Sequence, residues 1–216
     1  VIASLSHFFV FIHIPKNAGT SVHFAIKDAF ENDGGLIEGW GIDGGVDLAH
    51  PFPDIMKREF PQVRGILDLP ETRSFAILRD PVSRCIAAFN EHRFQYANHP
   101  DACKSLDCYL DAIEAKSYLV GGGSAHIFIH GAPQAAFLFE GSRCVVKTLF
   151  RMDDPLALVR VNLLAGRPLT ITTRNRVRSS TGNYLNREQL RRIIRLFEED
   201  YELIDAVPLS GTAFTP

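Results

Sequence analysis

Residues 7–14, HFFVFIHI, form a short run dominated by Phe, Val and Ile and closed by Pro15. A run this short and apolar reads as a strand buried on both faces, as inside a parallel sheet. The continuation narrows the choice. Lys16-Asn17-Ala18-Gly19-Thr20-Ser21 is a loop of mostly small residues, and from Thr20 to Phe30 the residues Val22, Ile26 and Ala29 fall on one helical face. The pattern recurs: Ser74–Leu78 is a second apolar segment, it ends in Arg79-Asp80-Pro81, and Val82, Ile86 and Phe89 give the next helix its apolar face. Proline suits the first turn of that helix. Strand–turn–helix units in succession predict an α/β chain with a parallel sheet, and 216 residues are enough for one domain with a full core.

The remaining elements fit this frame. The opening VIASLSHFFVFIHI lacks a basic n-region and reads as strand, not signal peptide. The glycine-dense stretch 33–45, which holds Trp40, is expected to be a loop. Short helices are expected at 52–60 and 105–115, a strand at 143–150, and a helix opened by Asp153 or Asp154 with Pro155. Asn186, with Gln189 three residues on, caps a last helix in which Leu190, Ile193, Ile194, Phe197, Tyr201 and Ile204 recur at helical spacing.

A formal charge of −2 removes any global electrostatic case for nucleic acid. The four cysteines, Cys85, Cys103, Cys108 and Cys144, show no metal spacing, and in a chain this long they are expected as reduced thiols. No apolar run reaches transmembrane length. A chain complete as it stands is expected in the cytoplasm; a Golgi-lumenal domain separated from its anchor is the other expectation.

Backbone N–H groups at a helix start, with the helix dipole, make an anion site. After the first strand, Gly19 permits close approach, Thr20 and Ser21 add hydroxyl donors, and Lys16 adds a mobile charge. The plainer reading is a tight turn capped by Thr or Ser. Neither the G-x-x-x-x-G-K-[ST] run of nucleotide triphosphatases nor a G-x-G-x-x-G follows this strand, so an ordinary ATP or NAD site is unsupported. Arg79 emerges at the carboxyl edge of the second strand, where open α/β sheets bind ligands; its plainer reading is a pair with Asp80.

Taken together, FIHIPKNAGTS and FAILRDPVSR resemble the paired nucleotide motifs of the sulfotransferase superfamily, in particular its carbohydrate branch. DLAHPFPDI, HGAPQAAFLF, VVKTLFRMDDPLALV and YLNREQLRRIIRLFEEDYELI resemble further segments of that family in the same order, with its Glu-Asp rendered as Asp153-Asp154. The resemblance implies a P-loop-like three-layer fold, a central parallel sheet flanked by helices, as one domain over residues 1–216. It implies a donor, 3′-phosphoadenosine 5′-phosphosulfate (PAPS), that leaves as the bisphosphate PAP, and no metal. Lys16, Asn17, Ala18, Gly19, Thr20 and Ser21 would hold the 5′-phosphosulfate, with Lys16 stabilising charge on the leaving oxygen. Arg79 would hold the 3′-phosphate. Position 87, usually serine in the family, is Ala87 here: either Arg79 and the backbone suffice, Ser83 compensates, or donor affinity is reduced. The basic loop with Arg174, Arg176, Arg178 and Ser179 resembles the segment that closes over the nucleotide, Arg176 and Ser179 being the expected contacts; its plainer reading is a solvated loop.

Transfer to a hydroxyl needs a base, and histidine has the right chemistry near neutrality. Among the eight histidines, His50 lies in the segment resembling the family's catalytic histidine. His13 is expected in the core or orienting the loop, His23 to point outward, and His92, His126 and His130 to be acceptor contacts. Asp28 and Glu31 are rival bases. Trp40 either stacks on a sugar or the adenine, or anchors its loop. The implied partners are the nucleotide donor and a hydroxyl acceptor, a carbohydrate in the family's pattern, with no nucleic acid and no membrane segment. A nucleotide-binding module that has lost catalysis and a P-loop kinase-like enzyme are the alternatives.

Overall fold

The apolar run is the middle of a sheet. In the computed structural model, which describes residues 1–100, 102–115, 123–172 and 185–209, all four residues of strand β2 (Phe9–Ile12) are buried. Strand β6 (Arg73–Leu78) runs parallel to it, and β9 (Thr148–Arg151) runs parallel to β6. On the other side β1 (Ile2–Ser4) pairs antiparallel with β2 and with β3 (Leu36–Glu38), giving the order β3-β1-β2-β6-β9. The sheet is therefore mixed, not the parallel one expected. Residues 1–14 are not one strand: they fold back at 5–8, where Phe8 takes a positive φ of 48° and donates its N–H to Leu5. The stretch 33–45 is likewise not all loop, since it supplies edge strand β3 and the short strand β4 (Ile42–Asp43), which pairs with β5 (Val46–Asp47).

Side-chain alternation along the central strands builds two cores. Phe9, Phe11, Phe75 and Ile77 pack with Val22, Ile26 and Phe30 of α1 (Gly19–Phe30) and Val161 of α7 (Ala157–Ala165). Val10, Ile12, Ala76 and Leu78 belong to the other, with Met56 of α2 (Pro53–Glu59), Val63 and Leu67 of α3 (Pro61–Leu67), and Leu203 and Ile204 of α9 (Glu198–Ala206). Each fully buried side chain of this size contributes about 1.5–3 kcal/mol. A third cluster unites Phe89 of α4 (Pro81–Gln95), Tyr109 and Leu110 of α5 (Leu106–Glu114), Ile127 of α6 (Gly123–Gly131) and Ile193 of α8 (Arg187–Leu196). The chain is α/β, with helices against both faces of a mixed sheet.

Three local expectations change. The strand expected at 143–150 is divided into β8 (Arg143–Cys144), which pairs with β7 (Phe139–Glu140), and β9. The last helix begins at the expected Asn186–Gln189 capping box but breaks at Phe197, whose φ of −121° and ψ of 31° end α8 before α9 starts. Cys103 and Cys108 are joined in a disulfide across a Cα separation of 5.3 Å, against the expectation of reduced thiols; Cys85 and Cys144 are free and buried. Among the described residues no helix is long and apolar enough to cross a membrane.

Candidate functional site

Where β2 ends, Pro15 to Ala18 turn the chain into α1 with two non-glycine residues in the left-handed region, Lys16 (φ 67°) and Ala18 (φ 59°). Such residues cost about 1–2 kcal/mol each relative to ordinary backbone and persist only where their surroundings fix them. Here the surroundings are specific. Asn17 is buried and donates through Nδ2 to the Ile77 carbonyl at 2.7 Å and to Gln134 Oε1 at 2.6 Å. The Arg79 guanidinium donates to the Lys16 carbonyl at 2.8 Å, and that of Arg84 to the Pro15 carbonyl at 3.1 Å. Gln134, in a 3-10 turn (Gln134–Phe137), also exchanges hydrogen bonds with the Arg79 backbone, and Asp200 of α9 accepts from Gln134 and from the Ala135 N–H. Three distant segments thus lock the loop in place.

The N-cap residue of α1 is Ala18, which makes no side-chain cap. The cap position is thus not held by the Thr or Ser expected there, and a helix start whose cap residue has no side-chain acceptor can offer N–H groups to an anion. The space a Cβ of Gly19 would enter is filled by the His13 ring, whose Cδ2 would lie 1.8 Å from it. Glycine at this position is therefore required by His13, which is buried as expected. By contrast the start of α4 is already capped, the Asp80 carboxylate accepting the Ser83 N–H at 2.8 Å. Arg79 makes no bond to Asp80 among those described and serves the loop instead. Its burial lowers the guanidinium pKa, partly offset by the Asp80 charge.

These segments line one cleft of about 710 Å³. Lys16, Ala18, Gly19, Thr20 and Ser21 form its floor, with Arg79, Ser83 and Ala87 beside them. Asn17 stands beneath as the anchor. His50 lines the same cleft, as do Glu91, His130 and Asp154. Arg176 and Ser179, with Arg174 and Arg178, lie outside the described residues.

His50 is held by Asp47, which accepts from Nδ1 at 2.8 Å and from the His50 and Ala49 backbone N–H groups. Burial, the largest single influence, would raise the Asp47 carboxyl, but the His50 hydrogen bond and charge together with the His50 and Ala49 backbone N–H groups outweigh it and hold the group below the usual carboxylate range. An ionised Asp47 makes Nδ1 the donor, which leaves Nε2 of a neutral ring as an acceptor. This is the arrangement of a base with an orienting carboxylate. Neither Asp28 nor Glu31 lines the cleft.

Sequence reasoning missed several neighbours. The Lys16 ammonium is paired with Glu91 of α4. His23 does not point outward: it is fully buried, bonded to Glu38 at 2.9 Å, and its pKa is pushed down to about 4, burial outweighing that carboxylate. Trp40 lies against His13, His23 and Phe24, as an anchor of its loop. The rings of His13, His50, His130 and His126 follow one another at centroid separations of 4.4, 5.4 and 3.9 Å. The available signals were the Asp47-to-His50 spacing and the four-residue spacing of His126 and His130, which puts both on one face of a helix. No family model, curated protein or solved structure matches the chain.

Proposed function

We propose that the protein is a sulfotransferase with a P-loop-like three-layer fold, moving a sulfuryl group from PAPS to a hydroxyl, with a carbohydrate as the favoured acceptor class. One observation carries the reading: the 16–21 loop, the Arg79 strand end and His50, far apart in sequence, all line a single cleft. The start of α1, with Ala18 at its cap, suits the 5′-phosphosulfate, and Arg79 suits the 3′-phosphate as a planar donor of fixed charge.

In the proposed step the acceptor oxygen attacks sulfur, the bond from sulfur to the 5′-phosphate oxygen breaks, and PAP departs with that electron pair. His50 Nε2 takes the acceptor proton while Asp47 stabilises the resulting imidazolium. Lys16 leaves Glu91 and neutralises charge gathering on the departing phosphate oxygen. The test is transfer of labelled sulfate from PAPS to a panel of glycans; label in any glycan, lost with His50→Ala, supports the reading, and none across sulfated and unsulfated panels argues against it.

The second reading is a nucleotide-binding module without catalysis. Ala87 and the Lys16–Glu91 ion pair favour it. It predicts PAP binding with no transfer. The Cys103–Cys108 disulfide favours an oxidising compartment, such as a Golgi lumen, over a reducing cytoplasm.

A further inference from the structure

Two histidines of α6 have ring nitrogens with nowhere to go. His126 and His130 are each only 8% exposed. Among the described residues, neither ring nitrogen of His126 has a hydrogen-bond partner, nor has Nδ1 of His130. Buried polar nitrogens left this way are costly and call for an explanation. The two rings lie with centroids 3.9 Å apart, as residues four apart on one helix face can. Facing them from α4 is Glu91, whose Oε2 is 3.7 Å from His130 Nδ1.

We propose that Glu91, His126 and His130 bind a divalent transition-metal ion of the zinc class. One ligand atom from each lies within 4.8 Å of the others. Two imidazoles and a carboxylate suit zinc, cobalt or nickel and not magnesium or calcium, which require oxygen ligands. Three protein ligands is the number zinc holds when a fourth position is left to water or substrate. Burial, and then the neighbouring His92, push the His126 pKa down to about 3, and burial with His126 pushes His130 well below the usual value, so both rings are in the neutral form that ligates metals. Glu91 and His130 line the cleft, which supplies the entry path.

A second grouping, Asp47, His50 and His130, also meets the distance requirement. It is the weaker one because Nδ1 of His50 is already engaged by Asp47, whereas both His126 nitrogens are orphaned. Metal entry at Glu91 would displace Lys16 from that carboxylate and return its charge to the loop. The site does not depend on the nucleotide reading, because none of its three ligands belongs to the 16–21 loop.

The test is titration of chelator-treated, full-chain protein with Co²⁺ and Zn²⁺ alone, followed by cobalt d–d absorption and calorimetry. The expected result is one ion per chain. His126→Ala and Glu91→Gln should each weaken it by about 100-fold or more, at least the upper end seen for loss of an outer-shell partner, while His50→Ala leaves it nearly unchanged. Absence of a stoichiometric site, or binding lost in His50→Ala and kept in His126→Ala, overturns the proposal. Should His126→Ala lose its cooperative unfolding transition, Glu91→Gln decides alone: undiminished cobalt affinity in that variant overturns it.

Discussion

The Lys16 ammonium, at the mouth of the 16–21 loop, is held by the carboxylate of Glu91 on the facing helix. The pair is partly buried, with side-chain exposures of 14% and 18%, so solvent screens it less than a surface pair. An incoming phosphosulfate must compete for that lysine. Glu91→Gln is therefore expected to tighten PAP binding, measured by calorimetry with chelator present, and Lys16→Ala to lower turnover by about 10²–10³. Weaker PAP binding in Glu91→Gln would show that the carboxylate positions the lysine and does not restrain it.

Arg79 should make the cleft discriminate between nucleotides. A charge-assisted hydrogen bond to a 3′-phosphate contributes about 1.5–3 kcal/mol, so PAP is expected to bind roughly 10–150-fold more tightly than AMP. Arg79→Gln should erase most of that difference. Equal affinity of the native protein for PAP and AMP would remove Arg79 from the donor site.

Ala87 lines the cleft one helical turn beyond Ser83. The Ser83 backbone N–H is already taken by Asp80, although its hydroxyl can still rotate toward a ligand. Ala87→Ser would add one donor toward a charged phosphate, and PAP binding is expected to tighten by about 1.5–3 kcal/mol. Unchanged affinity would mean that the site is complete around alanine.

His50→Ala is expected to lower turnover by about 10²–10⁴ while leaving PAP affinity nearly intact, because a base acts on the acceptor side. Asp47→Asn should lower turnover as well, since it removes the group that orients the ring. Collapse of PAP binding along with turnover would give His50 a structural role. Loss of activity in Glu31→Gln or Asp28→Asn, with His50→Ala active, would give the base to the C-terminal end of α1.

Stability should fall on acidification. His23 and His126 have folded pKa values of about 4 and about 3, below the ordinary 6.5. Between each folded value and 6.5 the unfolded chain binds more protons than the native one, so these rings cost nothing above 6.5 and destabilise progressively below it. Asp47 and Glu38, whose carboxyls are depressed, lose their contribution at lower pH still, in the same direction. Thermal unfolding in chelator at about pH 7.5 and about pH 5 should show a lower Tm at the acidic value; a flat Tm would mean that the rings are already solvated in the folded state.

The sequence disclosed what local pattern controls. The apolar runs ending at Pro15 and Arg79 are parallel neighbours, and the Asn186–Gln189 box opens its helix, because burial and capping are written in adjacent residues. The antiparallel half of the sheet was hidden, since a fold-back at 5–8 carries no glycine or proline and rests on a strained Phe8. Gln134 and Asp200 escaped notice for a different reason. Their role exists only once three segments far apart in the chain meet. His126 and His130 stood in plain spacing, but nothing local says that they face Glu91.

The Asn17–Gln134–Asp200 chain has a consequence for descent. It ties the 16–21 wall of the cleft to a central strand, a 3-10 turn and the last described helix, while His50 hangs on the short β5 segment and its loop, and His126 and His130 on α6. Substitutions that reshape the histidine wall leave those bonds untouched. A lineage built on this scaffold can therefore exchange one wall by small steps while inheriting the other whole, so divergence among its members should concentrate around 40–52 and along α6 and spare Asn17, Gln134 and Asp200.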